Sequence, residues 1–159
     1  MTKLILLIGL PGSGKSSLAQ QMVAEYPRRL ISTDTIRAKL FGDEIVQGSW
    51  LLVWDEVNRQ FQETVKEIEL GTAIAGVYDA TNAARKYRRE AIALARETGF
   101  THITGLWLDA PLEVCLQRNK KRDRQVPEEI ILSMHRQLQD APPALTDGLD
   151  YLIRRTSKP

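Results

Sequence analysis

A chain of 159 residues can bury one sizeable core and is short for two. With 43% hydrophobic and 26% charged residues it is not disordered, its net charge of +2 gives no general attraction to polyanions, and its single cysteine excludes an intrachain disulfide. No run approaches the ~20 apolar residues of a membrane span, and the apolar run after Lys3 is shorter than a signal-peptide core. No membrane partner and a cytoplasmic location are therefore expected.

Leu4-Ile5-Leu6-Leu7-Ile8 is an unbroken apolar run ended by glycine, the pattern of a strand buried on both faces. From Lys15 to about Tyr26, Leu18, Met22 and Val23 fall at helical spacing, and Pro27 ends the helix. Leu30-Ile31-Ser32 reads as a short second strand, and residues 34–41 as a short helix stopped near Gly42. Trp50, Trp54, Val57, Phe61, Val65 and Ile68 recur every three or four residues, so a long amphipathic helix runs up to Gly71. That aromatic stripe is read as core packing rather than as a base-stacking platform. Gly76-Val77-Tyr78-Asp79 is a third strand, Ala84 to Glu97 a helix, and Ile103 to Leu108 a fourth strand. Helices follow from Leu112 to about Asn119, with Cys115 as a small buried residue, and from Pro127 to about Gln139; Tyr151-Leu152-Ile153 makes a final edge strand. Strands alternating with helices give an α/β fold in three layers, with a parallel sheet of four to five strands and one domain over residues 1–159. Ligands of such sheets bind beyond the carboxyl ends of the strands.

At the first of these ends, Gly9-Leu10-Pro11-Gly12-Ser13-Gly14-Lys15-Ser16 satisfies Gly-x-x-x-x-Gly-Lys-Ser/Thr. Glycines let backbone N–H groups converge on phosphate oxygens, and the helix opening at Lys15 adds its positive end. Lys15 is placed to reach the β- and γ-phosphates, and the Ser16 hydroxyl to ligate Mg²⁺. Ser17 occupies the third-glycine place of a dinucleotide loop, which argues against that alternative.

Nucleotide binding alone leaves the reaction open. No aspartate has glycine three residues later, and Asn119-Lys120-Lys121-Arg122-Asp123 is one residue too long for the base-reading motif of a GTPase, so a switch is disfavoured. Asp34 and Arg37 share one face at a helix start, where Asp34 can accept a hydroxyl proton and Arg37 can grip an anionic acceptor; helix capping by Asp34 explains it equally well. Arg118 and Arg122, four apart near a helix end, can form a lid over the nucleotide or merely satisfy the helix dipole. Asp79 is a candidate to hold a Mg²⁺-bound water, with Thr81 and Asn82 near acceptor or phosphate, although a turn and cap fit too. The basic cluster Arg85, Lys86, Arg88 and Arg89 is read as a solvated helix face, and His102 and His135 as structural.

In this order, the Gly9–Ser16 loop, Asp34 with Arg37, Asp79-x-Thr81-Asn82 and Arg118-Asn119-Lys120-Lys121-Arg122, followed by Val126-Pro127 and Ser133-Met134, resemble the kinase domain of polynucleotide 5′-hydroxyl kinases of end-healing and RNA-repair type, within the AAA-like ATPase/kinase grouping. The resemblance implies a P-loop kinase fold with an arginine-bearing lid, ATP and Mg²⁺ as cofactors, and transfer of the γ-phosphate to the 5′-hydroxyl of RNA or DNA. Carried onto this chain it makes Lys15 the phosphate-stabilising lysine, Ser16 a Mg²⁺ ligand and Asp34 the general base. Arg37 then contacts the phosphate next to the acceptor nucleoside, Arg118 holds the nucleotide and Arg122 acts on the transition state. The stretch from Gly42 to Gly71, where acceptor specificity is expected, matches no signature. The same loop and Asp-x-x-Arg pair also occur in kinases of sugars, nucleosides and antibiotics, so a small-molecule acceptor is the alternative; a nucleotide-binding module without transfer activity is the second.

Overall fold

The computed structural model describes residues 1–42 and 49–156; the start of the expected acceptor-specificity stretch, residues 43–48, lies outside the described residues. The elements in chain order are β1 (Lys3–Ile8), α1 (Lys15–Glu25), β2 (Arg28–Ser32), α2 (Thr33–Phe41), α3 (Trp50–Leu70), β3 (Ala75–Asp79), α4 (Arg85–Thr98), β4 (His102–Asp109), α5 (Leu112–Lys120), α6 (Glu128–Asp140), a 3₁₀ turn (Leu145–Asp147) and β5 (Tyr151–Thr156). The five strands form one parallel sheet in the order β2-β3-β1-β4-β5.

The apolar run of β1 explains its central place. Leu4, Leu6 and Ile8 enter a large core with Val57, Phe61 and Val65 of α3, Ile92 of α4 and Ile131 of α6. Ile5 and Leu7 point to the opposite face, where Ala19, Val77 and Leu106 form a smaller core under α1. Period-two alternation thus feeds two cores, and each such side chain taken from water contributes about 1.5–3 kcal/mol. Chain reversal fits the same logic: β1 leads out to β2 on one side, and the chain later crosses to β4 on the other. The carboxyl end of β1 therefore lies where the winding direction changes, and the glycine-rich loop sits there.

Two expectations require correction. The stripe on α3 is core only from Val53 onward: Trp54 is half-buried and Trp50 is 37% exposed. An amphipathic pattern fixes a helix face, but Trp50 occupies the first turn of α3, beyond the edge of the sheet core. The second concerns the basic run on α4. Arg85, Lys86 and Arg89 are exposed, whereas Arg88 is fully buried.

All three nitrogens of the Arg88 guanidinium donate hydrogen bonds. Nε donates to Asp147 Oδ2 at 2.9 Å, Nη1 to the Ala83 and Asn82 carbonyls at 2.8 and 3.2 Å, and Nη2 to the Ala141 carbonyl at 2.6 Å. Asp147 is buried too, and its Oδ1 faces Arg85 Nε at 3.3 Å. One side chain thus ties the segment after β3, the end of α6 and the 3₁₀ turn.

Removing one partner of such a pair strands a buried charge, so Arg88→Met is expected to cost about 3–5 kcal/mol in urea unfolding. Arg85 is half-exposed, and Arg85→Met is expected to cost less than about 1 kcal/mol. Equal losses at the two positions would remove Arg88 from this organising role.

Candidate functional site

The carboxyl ends of β1, β2 and β3 and the helices that follow them surround a cavity of about 960 Å³. The glycine-rich loop forms its floor. Ser13 N donates to Leu10 O at 3.0 Å to close the loop's turn, and Gly9 N donates to Thr81 O at 3.0 Å, fixing the loop to the segment after β3. Gly12 adopts φ +85°, and a Cβ there would lie 2.6 Å from the Cys115 carbonyl of α5. Glycine at this position therefore answers to a docked helix as well as to phosphate. Burial raises the pKa of the Cys115 thiol, so it stays protonated and acts as packing.

Pro11, Gly12 and Gly14 line the cavity, as do Lys15, Ser16 and Ser17. Gly9 and Ser13 are set back in the loop's interior. Asp79, at the end of β3, also stands behind the wall and holds two of the loop's chemical groups: Ser16 Oγ donates to its Oδ2 at 2.9 Å, and Lys15 Nζ lies 3.6 Å from Oδ1. Asp79 is 6% exposed, and Oδ1 makes no hydrogen bond within the protein. A hydroxyl beside a carboxylate is a hard-oxygen donor set, and Mg²⁺ is commonly held by one or two such groups with phosphates and water completing its shell. Among the described residues no cluster of three or more His, Cys, Asp or Glu offers a closed protein cage. The donors present fit a metal shared with phosphates.

The start of α2 carries Asp34 and, three residues on, Arg37, and both line the cavity with Lys15. The cap of α2 is Ser32, whose Oγ accepts from Thr35 N at 3.2 Å. The capping explanation of Asp34 therefore falls away. Its Oδ1 accepts instead from Arg37 Nη1 at 3.2 Å. Thr81 and Asn82 both line the wall, and Asn82 is also a brace: at φ +49°, its Nδ2 donates to Leu7 O at 2.7 Å. Among residues other than glycine, a short polar side chain that returns to the backbone is the one that readily stabilises a left-handed φ.

The lid follows β4. Arg118 Nη1 donates to Gly12 O at 3.1 Å. Arg122 lines the same cavity from the turn beyond α5 rather than from the helix itself, which ends at Lys120. Sequence reasoning missed what shapes this turn. Asn119 is buried; its Nδ2 donates to Val126 O at 2.7 Å, and its Oδ1 accepts from Val126 N at 3.0 Å. The pair brackets residues 120–125, which are exposed. Val126, Pro127, Ser133 and Met134 also border the cavity.

Comparison with known proteins bears on both family and fold. The AAA domain family matches residues 4–141. An L-seryl-tRNA(Sec) kinase from Methanococcus maripaludis is 28% identical over 135 residues, covering 83% of this chain and 51% of its own; the chain thus spans about half the length of that curated relative. The solved structure of the Pnkp1/Rnl/Hen1 RNA repair complex contains a chain matched with a TM-score of 0.70 at 24% identity, over 87% of this chain and 44% of that one. A sugar kinase from Janibacter sp. HTCC2649 matches with a TM-score of 0.63 at 21% identity, over 98% and 86% of the respective chains. These structural likenesses give the fold, a P-loop kinase-like α/β architecture.

The Asn119 bracket separates lid order from global stability. In Asn119→Ala the freed Val126 groups can turn to water, because the loop they close is exposed. Limited proteolysis within residues 120–126 should therefore accelerate while the melting temperature falls by only a few degrees. Unchanged cleavage would mean that the bracket does not order the turn.

Proposed function

The chain belongs to the AAA domain family, and from that premise we propose that it is an ATP- and Mg²⁺-dependent phosphotransferase acting on a hydroxyl, with the 5′-hydroxyl of RNA or DNA as acceptor. One observation carries the reading: Asp34 and Arg37 line the same cavity as Lys15, Arg118 and Arg122. Asp79 already serves the phosphate loop, and a nucleotide-binding module has no need of a second carboxylate, Asp34, in the same cavity.

In this reading Lys15 and the loop N–H groups hold the phosphates of the donor. Ser16 and Asp79 hold Mg²⁺, which supplies neutralisation of phosphate charge when bound. Asp34 accepts the proton of the attacking hydroxyl as its oxygen bonds to the γ-phosphorus and the bond to the β-bridging oxygen breaks. Charge spreading over the transferred oxygens is met by Lys15 and Arg122, while Arg118 ties the lid to the loop. Arg37 keeps Asp34 oriented and offers its remaining donors to an anionic group on the acceptor. A cytoplasmic setting, with ATP at hand, suits this chemistry.

A polynucleotide acceptor draws support from the ordered motifs and from the RNA-related names of two matched proteins. The sugar kinase likeness favours the small-molecule alternative. γ-Labelled ATP offered with 5′-hydroxyl oligonucleotides, seryl-tRNA, sugars, nucleosides and antibiotics decides between them. Label on oligonucleotides is expected, and label on a small metabolite alone overturns the polynucleotide reading.

Because Ser32 caps α2, Asp34 can be changed without uncapping it. Asp34→Asn is expected to lower kcat by about 10²–10⁴-fold with little change in melting temperature. Retained kcat would remove Asp34 from the base role.

A further inference from the structure

We propose that Trp50 and Tyr87 form a stacking wall for a planar nucleobase of the acceptor, beside the hydroxyl that Asp34 deprotonates. This deepens the polynucleotide reading and rests on it.

Trp50 opens α3 and Tyr87 lies in the first turn of α4, so two helices far apart in sequence bring their aromatic rings to one wall of the cavity. The rings lie 6.2 Å apart and are inclined at 58°. Both remain in contact with water, Trp50 being 37% and Tyr87 50% exposed. Behind them Trp54 stacks on Trp50 at 5.7 Å and 27°, and Trp54 itself packs against the large core. Trp50 is thus held from behind, and Tyr87 meets it from the side.

Arg37 links this wall to the chemistry. Its guanidinium lies 5.8 Å from the Trp50 ring centre and donates to Asp34 at 3.2 Å. Catalytic carboxylate, cation and aromatic wall therefore follow one another along the cavity, from α2 to α3 to α4. A terminal nucleotide has the matching sequence of groups: a hydroxyl, a nearby phosphate and a flat ring. Stacking tolerates any base, because every base has a π-face, so the wall confers preference for a base without reading its identity. A sugar ring has no comparable flat π-face, although its C–H groups can pack on an indole. Single exposed aromatics are ordinary on protein surfaces, but two rings in contact, one of them backed by a third, beside the carboxylate proposed as base are a different arrangement.

The test compares two 5′-hydroxyl dinucleotides that differ only in whether the terminal sugar carries its base. The intact chain should show a KM roughly ten- to a hundredfold lower for the base-bearing acceptor. In Trp50→Leu that ratio should collapse toward one, with the loss in acceptor KM rather than kcat; Trp50→Phe should restore most of it. Equal losses on both acceptors overturn the wall. Binding without turnover gives an independent reading: in the absence of ATP, the base-bearing dinucleotide should quench tryptophan fluorescence and the abasic one should not. Quenching without phosphoryl transfer overturns the acceptor reading and keeps the wall. Transfer with neither base preference nor quenching keeps the acceptor reading and overturns the wall, and labelling of a sugar whose KM rises in Trp50→Leu assigns the wall to carbohydrate packing instead.

Discussion

A guanidinium shut away from water sets the terms for the rest of this molecule. Arg88 is fully buried, and an isolated charge there would cost several kcal/mol or more. It persists because Asp147 neutralises it and three backbone carbonyls accept further hydrogen bonds from it. Those carbonyls belong to segments that must be held near the site: residues 82 and 83 after β3, and residue 141 at the end of α6. Such an arrangement is intolerant of drift, since moving any segment leaves a buried donor unsatisfied. The segment between β3 and α4 is thereby fixed from below.

The same segment is fixed from the other side by the phosphate loop. Gly9 N donates to Thr81 O, and Asn82 donates to the Leu7 carbonyl. Asp79 immediately before it engages Lys15 and Ser16. A chain of contacts therefore runs from Lys15 through Asp79 and Asn82 to Arg88 and Asp147. Electrostatic stabilisation depends on groups that need not reorganise as charge moves. Here the rigidity comes from hydrogen bonds between strand ends, while the two apolar cores hold the strands in register.

How much of this the sequence revealed depends on the range of each signal. The glycine-rich loop is contiguous, so its chemistry and its place after a buried strand were readable directly. Asp34 was readable as a residue type but not as a role, because the competing cap, Ser32, lies two residues away and only geometry shows which oxygen serves the helix. The basic run on α4 looks uniform, yet Arg88 differs from Arg85 and Arg89 in being fully buried, against Asp147 59 residues away and the backbone carbonyls of residues 82, 83 and 141. Asn119 lay within a run examined for a different motif, and its role depends on a closure seven residues away. Trp50 and Phe61 obey one periodicity, but that periodicity cannot say where along α3 the core stops. Local chemistry was legible; long-range partnership and the limits of burial were not.

The two halves of the cavity differ in how they are built. The phosphate half comes from one continuous loop whose backbone is pinned by β3 and α5, so almost any change there disturbs several contacts at once. The half we propose for the acceptor is made of side chains from the starts of α2, α3 and α4, separate elements whose packing lies mostly elsewhere. Substituting Trp50 or Tyr87 alters the wall without touching the loop. A fold with this division can change its acceptor by a few exposed side chains while its phosphate chemistry stays fixed. The likeness to a chain of an RNA repair complex and to a sugar kinase is one of architecture; in the proposed reading, acceptor choice lies in the helix starts rather than in the motif that announces the fold.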